Sequence, residues 1–222
     1  MADLRPRRFR FVVFDWDGTL ADSTGLIAAS IQAACRDIGE PVPDDATARY
    51  VIGLGLADML RHIAPGLTPE RQRGLTARYR HHFLGGDAAI PLFAGVPEML
   101  DELETAGCLL GVATGKSRVG LNRAFEQQGI GHRFVATRCA DEGFPKPHPD
   151  MLLHLMDRVG AAPGETLMIG DTTHDLDLAR NAGVAAVAVA YGAHGHEGLA
   201  AGAPLATVHS VRELARWLAV HG

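Results

Sequence analysis

The chain alternates short apolar runs with longer amphipathic stretches, and one region breaks that rule. Arg10–Asp15 (RFVVFD) is β-branched and aromatic, too short for a helix and suited to a buried strand. Runs of the same kind recur at Cys108–Ala113, Phe134–Cys139, Thr166–Ile169 and Val184–Ala190. Between them the pattern predicts helices over Val96–Ala106, Arg118–Gln128, Pro149–Val159 and Thr173–Ala182. Each is followed by a glycine (Gly107, Gly129, Gly160 and Gly183), the residue best able to end a helix at positive φ. Val211–Val220 places Val211, Leu214, Ala215 and Leu218 on one face of a closing helix. Strands alternating with single helices predict an α/β fold with a parallel sheet covered on both faces.

From about Ala21 to Leu92 the alternation stops. No strand pattern is found there, but helical ones are, over Thr24–Ile38, Asp45–Ile52, Leu56–Ile63 and Pro69–Phe83. Pro41, Pro43, Gly53, Gly55 and Gly66 punctuate them, and Gly85–Pro91 (GGDAAIP) reads as a flexible return. This predicts a helical subdomain over residues 21–92, inserted after the first strand, with residues 1–20 and 93–222 forming the α/β core.

Composition narrows the function classes. The 222 residues carry a formal net charge of −5 and no basic stripe, which excludes a nucleic-acid partner. No apolar run approaches the ~20 residues of a membrane span, and the apolar stretch after the arginine-bearing N-terminus is cut short by Asp15, so neither a membrane nor a signal peptide is expected. Cys35, Cys108 and Cys139 are odd in number and far apart, which predicts no disulfide framework, no zinc site and a cytoplasmic location. Lys116 and Lys146 are the only lysines in a chain that otherwise uses arginine, so each is suspected of work that arginine cannot do.

The candidate chemistry lies where strands end, the place where open parallel sheets bind ligands. Asp15 and Asp17, two apart on an extended segment, face one side together. Asp171 closes the Thr166–Ile169 strand, and Asp175 lies one turn into the next helix. Four carboxylates in one crevice repel each other; a divalent cation and a lysine relieve them, and all-oxygen ligands point to Mg²⁺. Thr114 and the Gly115 N–H offer donors for a phosphate oxygen. Lys146, set among Pro145, Pro147 and Pro149, is aimed by a stiff loop.

Taken in order, FDWDGTLADS, GVATG, the KPHP lysine and GDTTHD resemble the four motifs of the haloacid dehalogenase superfamily, subfamily I, over nearly the whole chain. Within it, the chain looks most like the phosphoglycolate phosphatase-like enzymes. The resemblance implies a Rossmann-like core with a helical cap over residues 21–92. It implies Asp15 as the nucleophile that forms an aspartyl-phosphate and Asp17 as general acid and base. Mg²⁺ is then held by Asp15, the Asp17 carbonyl and Asp171 with Asp175 nearby, and phosphate by Gly18, Thr114, Gly115 and Lys146. Trp16 stands where Leu or Met is usual. Arg49-Tyr50-Val51-Ile52-Gly53-Leu54-Gly55 has the R-x-x-x-G-x-G look of such caps, which makes Arg49 the candidate to meet an anionic leaving group.

Competing readings are weaker. Gly111–Ser117 imitates a phosphate-binding loop but has three positions between its glycines where four are needed. His81-His82 and His194-Gly195-His196 lack the spacing of a metal site and are expected to be exposed, with His174 on a helix surface. Cys108 and Cys139 are expected in the core. Residues 21–92 contain no lysine, which disfavours a phosphonoacetaldehyde hydrolase or a β-phosphoglucomutase, both of which need one in the cap. Asp17 disfavours a 2-haloacid dehalogenase, since halide leaves unprotonated, and the full set of chemical groups disfavours a silent binding scaffold. The expected substrate is a small phosphorylated metabolite, phosphoglycolate-like, acted on by a monomer or homodimer.

Overall fold

The computed structural model describes residues 8–221; residues 1–7, and with them most of the arginine-bearing N-terminus, lie outside the described residues, as does Gly222. Six parallel strands form one sheet in the order β3-β2-β1-β4-β5-β6: β1 Phe11–Phe14, β2 Leu109–Thr114, β3 Ala136–Cys139, β4 Thr166–Gly170, β5 Ala185–Val189 and β6 Ala206–Val208. The short β1 is central, pairing Val12 with Leu110 on one side and Leu167 on the other. Its alternation serves both faces. Val12 and Phe14 pack with the helices α5 (Val96–Thr105), α6 (Arg118–Gln128) and α10 (Val211–His221), whereas Phe11 and Val13 pack with α7 (Asp150–Val159) and α8 (Thr173–Asn181). A central strand buried on both faces explains why its sequence is a continuous apolar run.

The predicted core helices fall where the pattern places them, and the four glycines expected to end them all have positive φ. Two small elements escaped the pattern: a helix, α9, over His196–Ala201 and the three-residue edge strand β6. Neither is long enough to show a period. The third strand is shorter than its apolar run, because a 3₁₀ turn at Gly131–Arg133 precedes it and Phe134 turns into an aromatic cluster with Phe125 and Trp16.

Between β1 and α5 the chain makes four helices: α1 Thr24–Asp37, α2 Asp45–Tyr50, α3 Leu56–Ile63 and α4 Pro69–Leu84. They surround their own apolar cluster, which includes Ile27, Ile31, Leu60, Leu75 and Tyr79. Side-chain caps start two of them. Asp44 accepts from the Thr47 N–H at 2.8 Å, and Thr68 caps α4 just before Pro69; a cap of this kind contributes about 1 kcal/mol. The chain leaves and re-enters the α/β body through adjacent segments joined by an isolated antiparallel bridge: Asp22 N–H donates to Pro91 O and Phe93 N–H to Leu20 O. No described helix is long and apolar enough to cross a membrane.

Candidate active site

The ends of β1, β2 and β4 bring Asp15, Thr114 and Asp171 to one edge of the sheet, where strand order reverses about β1. The tight turn after β1 is held by the Trp16 carbonyl, which accepts from the Leu20 and Ala21 N–H groups at 3.0 Å each. Trp16 anchors it from behind, buried and edge-on to Phe125 at 5.3 Å.

Asp15 is 1% exposed. Its Oδ1 accepts from the Trp16 N–H at 2.7 Å and lies 2.9 Å from Lys146 Nζ, while its Oδ2 is buried with no partner among the described residues. Lys146, 2% exposed, is suspended between Asp15 and Asp175, 2.6 Å from Asp175 Oδ1. Asp175 Oδ2 accepts from the Thr172 hydroxyl at 2.7 Å and the Thr172 N–H at 3.0 Å, a reciprocal cap that starts α8. Asp171 is fixed by the Thr19 hydroxyl at 2.9 Å and the Ala193 N–H at 2.7 Å. Gly18, at φ +78°, and Gly192 lie against its carboxylate so closely that a methyl on either would overlap it. Gly18 therefore belongs to the bed of Asp171 as much as to any phosphate.

Burial raises the Asp15 carboxyl to about 7; Asp175 and Asp17 add to the rise and Lys146 opposes it. Burial also raises Asp171 well above the usual carboxylate range, together with Asp15 and Asp175. Burial pulls the Lys146 ammonium down, but Asp15 and Asp175 more than compensate and hold it above the ordinary lysine value. Three buried carboxylates with one lysine among them lack positive charge, and oxygens of Asp15, Asp171 and Asp175 lie within 4.8 Å of one another. Three buried carboxylates supplying only oxygen donors at that spacing fit a divalent cation.

The Asp17 carboxylate is not part of this trio. Its Oδ1 accepts from the Ser23 hydroxyl at 2.6 Å and lies 3.0 Å from Lys116 Nζ, an ammonium set 4.9 Å above the Phe83 ring. Burial pushes the Tyr79 phenol of α4 above its ordinary range, and Asp17 adds to the push. The structure thus surrounds Asp17 with groups the motif reading did not assign. The one available signal was Lys116, marked by the scarcity of lysine.

Helix α2 and the link to α3 lie directly over these residues. A methyl at Gly115 would meet the carbonyl oxygens of Gly53 and Leu54 at 2.6 Å, and one at Gly53 would meet the Thr172 hydroxyl at 3.1 Å. Arg49 does not extend into the crevice as a free cation. Its Nε bonds Asp45 Oδ2 at 2.7 Å and its Nη1 bonds Thr24 Oγ1 at 3.2 Å.

Two histidine expectations are overturned. His174 and His194 are 7% and 9% exposed, not surface residues. The inserted helices cover the start of α8, and both imidazole Nε2 atoms lie 2.9 Å from the Tyr50 carbonyl oxygen. His196 and His81 are exposed as expected, while the half-buried His82 bonds Asp37 at 2.7 Å. Among the described residues no cysteine forms a disulfide, and Cys35, Cys108 and Cys139 are all buried.

The model of the family described as haloacid dehalogenase-like hydrolase matches residues 12–189. "Probable phosphatase IndB" of Dickeya dadantii is 36% identical over 91% of this chain and 90% of its own length. "Phosphoglycolate phosphatase" of Vibrio vulnificus is 34% identical over 94% and 95%. "Tyrosine-protein kinase PtkA" of Mycobacterium tuberculosis is 33% identical over 82% of this chain and 62% of that protein. The crystal structure of a predicted phosphoglycolate phosphatase from Haemophilus somnus superimposes with a TM-score of 0.84 over 96% and 99% of the two chains; at 24% identity it speaks for the fold alone. Sheet order, carboxylate trio and matched residues converge: this chain belongs to the haloacid dehalogenase-like hydrolases.

Proposed function

We propose that the chain is a phosphomonoester hydrolase that works through an aspartyl-phosphate on Asp15, with residues 21–92 as its cap. The observation that carries this reading is the asymmetry of Asp15. One carboxylate oxygen is fastened by Lys146 and the Trp16 N–H, and the other is buried and unpartnered. A nucleophile needs that combination of fixed position and a free lone pair.

Asp15 Oδ2 bonds to phosphorus as the bond to the ester oxygen breaks, and Asp17 gives that oxygen its proton. Asp17 then takes a proton from the water that attacks the same phosphorus, releasing phosphate and regenerating Asp15. Lys146, the Thr114 hydroxyl and the Gly115 N–H take the charge of the transferring group, which sits on its three equatorial oxygens. Asp15, the Asp17 carbonyl and Asp171, with Asp175 nearby, would hold Mg²⁺, which supplies charge neutralisation between an anionic nucleophile and an anionic ester. Because both oxygens of Asp175 are already engaged, its larger part is to aim Lys146. The Gly53–Leu54 backbone over Gly115 excludes bulk water while the cap is closed.

The substrate is a small phosphorylated metabolite, and the name of the Vibrio vulnificus relative favours one like phosphoglycolate. Buried cysteines held outside any disulfide suit the reducing cytoplasm. Release of phosphate from a panel of phosphomonoesters, with Mg²⁺ or EDTA, in wild type and Asp15→Asn tests the reading. Turnover that needs the metal and vanishes in the variant is expected. No turnover on any ester, with halide release from 2-chloropropionate, would replace it by dehalogenation.

A further inference from the structure

Lys116 is used by none of the steps above, yet it is one of two lysines in the chain and its side chain is only 11% exposed. Among the described residues its ammonium has one carboxylate neighbour, Asp17 at 3.0 Å, and one aromatic ring, Phe83. An ammonium has three N–H donors, so donors remain for a further acceptor. Lys116 also lines a small cleft between the end of α4 and α6. The walls are largely apolar, with Trp16, Phe83, Leu84 and Ile90 among them. The cleft's other cation is already committed, since Arg123 bonds Asp87 at 3.0 Å.

We propose that Lys116 is a specificity-determining residue that binds an anionic group on the leaving alcohol, so that the favoured esters are phosphates of short 2-hydroxy acids. The proposal rests on the phosphatase reading, which puts the ester oxygen within hydrogen-bond reach of Asp17. In a 2-hydroxy acid the ester oxygen and a carboxylate oxygen are about 3 Å apart, from ordinary bond lengths. That matches the 3.0 Å between Asp17 Oδ1 and Lys116 Nζ, so one oxygen can meet each group. A neutral leaving group would leave the remaining donors of this shielded ammonium without an anionic partner. Arg49, the cation that sequence motifs favoured for this task, is spanned between Asp45 and Thr24 instead.

The test compares kcat/KM for 2-phosphoglycolate and for ethyl phosphate, the same two-carbon skeleton without the carboxylate, in wild type, Lys116→Met, Lys116→Arg and Arg49→Gln. p-Nitrophenyl phosphate serves as a reference ester. The readout is the ratio between the two esters, which a merely structural lesion would leave in place while both rates fell. Wild type is expected to favour the acid at least about tenfold, the usual worth of a charged hydrogen bond. Lys116→Met should bring the ratio close to one, Lys116→Arg should restore part of it, and Arg49→Gln should keep it. A wild-type ratio near one overturns the proposal without any variant. So does a preserved ratio in Lys116→Met, or a loss confined to Arg49→Gln; each leaves the phosphatase reading standing. If Lys116→Met does not fold, Lys116→Gln is read in the same way. Failure of wild type on all three esters overturns both readings.

Discussion

His174 and His194, twenty residues apart in sequence, aim their Nε2 atoms at one acceptor, the Tyr50 carbonyl at the end of α2. The Thr173 N–H donates to His194 Nδ1 at 3.0 Å, which leaves the His194 proton on Nε2 for Tyr50. The Tyr50 ring stacks on His194 at 5.4 Å, so carbonyl and ring both fasten the end of α2 to the start of α8. Replacing His194 by Ala is expected to cost about 1–3 kcal/mol, since it also strands the Thr173 N–H. Urea denaturation measures that cost. Hydrogen exchange at residues 50–55 should quicken more than exchange in β1, which separates release of the cap from general loosening.

Gly115 makes a sharper test of the cap as a lid. A methyl there meets the carbonyl oxygens of Gly53 and Leu54, so Gly115→Ala must push that segment away from the end of β2. Because that segment is backbone, it cannot swing aside as a side chain would. The expected result is a loss of at least about tenfold in kcat/KM with little change in thermal stability, since displaced geometry near the reacting atoms is costly to rate. Wild-type kinetics in Gly115→Ala would show that the cap does not need this contact.

The strand ends were legible because the chemistry there is local. Asp15 and Asp17 are two positions apart in one turn, and Asp171 and Asp175 share a helix start with Thr172, whose T-x-x-D spacing is a capping signal. The lysine count likewise brought forward Lys146 and Lys116. The sequence does not show which groups meet across the cap. Nothing in His174 or His194 announces that a carbonyl 124 or 144 residues away will cover them. Arg49 failed as a free cation for a related reason: Asp45, one helical turn earlier, captures it, and Thr24 of another helix completes the hold. Elements α9 and β6 were missed because neither is long enough to carry a period.

The carboxylates set a pH signature for the metal-free protein. Asp15 is raised from 3.8 to about 7 in the fold, so its contribution to stability is fully present below 3.8 and is lost as pH rises through about 7. Asp171, raised by the same burial, acts in the same direction. In EDTA, the stability of wild type relative to Asp15→Asn should therefore fall between pH 4 and about 7. Saturating Mg²⁺ should shrink that fall, and its Tm increase in wild type should be larger at pH 7.5 than at pH 5.5. Thermal melts across this range read both effects. A Tm increase that is independent of pH would mean that Mg²⁺ binds elsewhere.

Lys146 sits where arginine cannot follow. Its ammonium bridges Asp15 at 2.9 Å and Asp175 at 2.6 Å within a site that leaves it 2% exposed. A guanidinium is wider and planar, and its fork wants two oxygens of one carboxylate, whereas here one oxygen comes from each of two. In Lys146→Arg the larger head must displace either Asp15 or the Thr172-capped Asp175. Asp15 moves in the first case and the start of α8 in the second. We expect kcat to fall about a hundredfold or more, as when a preorganised charge is lost from a reaction centre. Asp175→Asn should reproduce part of that loss by leaving Lys146 to Asp15 alone, while the amide can still accept from Thr172. If Lys146→Arg kept most of its kcat while Asp175→Asn did not, the role of Asp175 would lie in holding the metal and not in aiming the lysine.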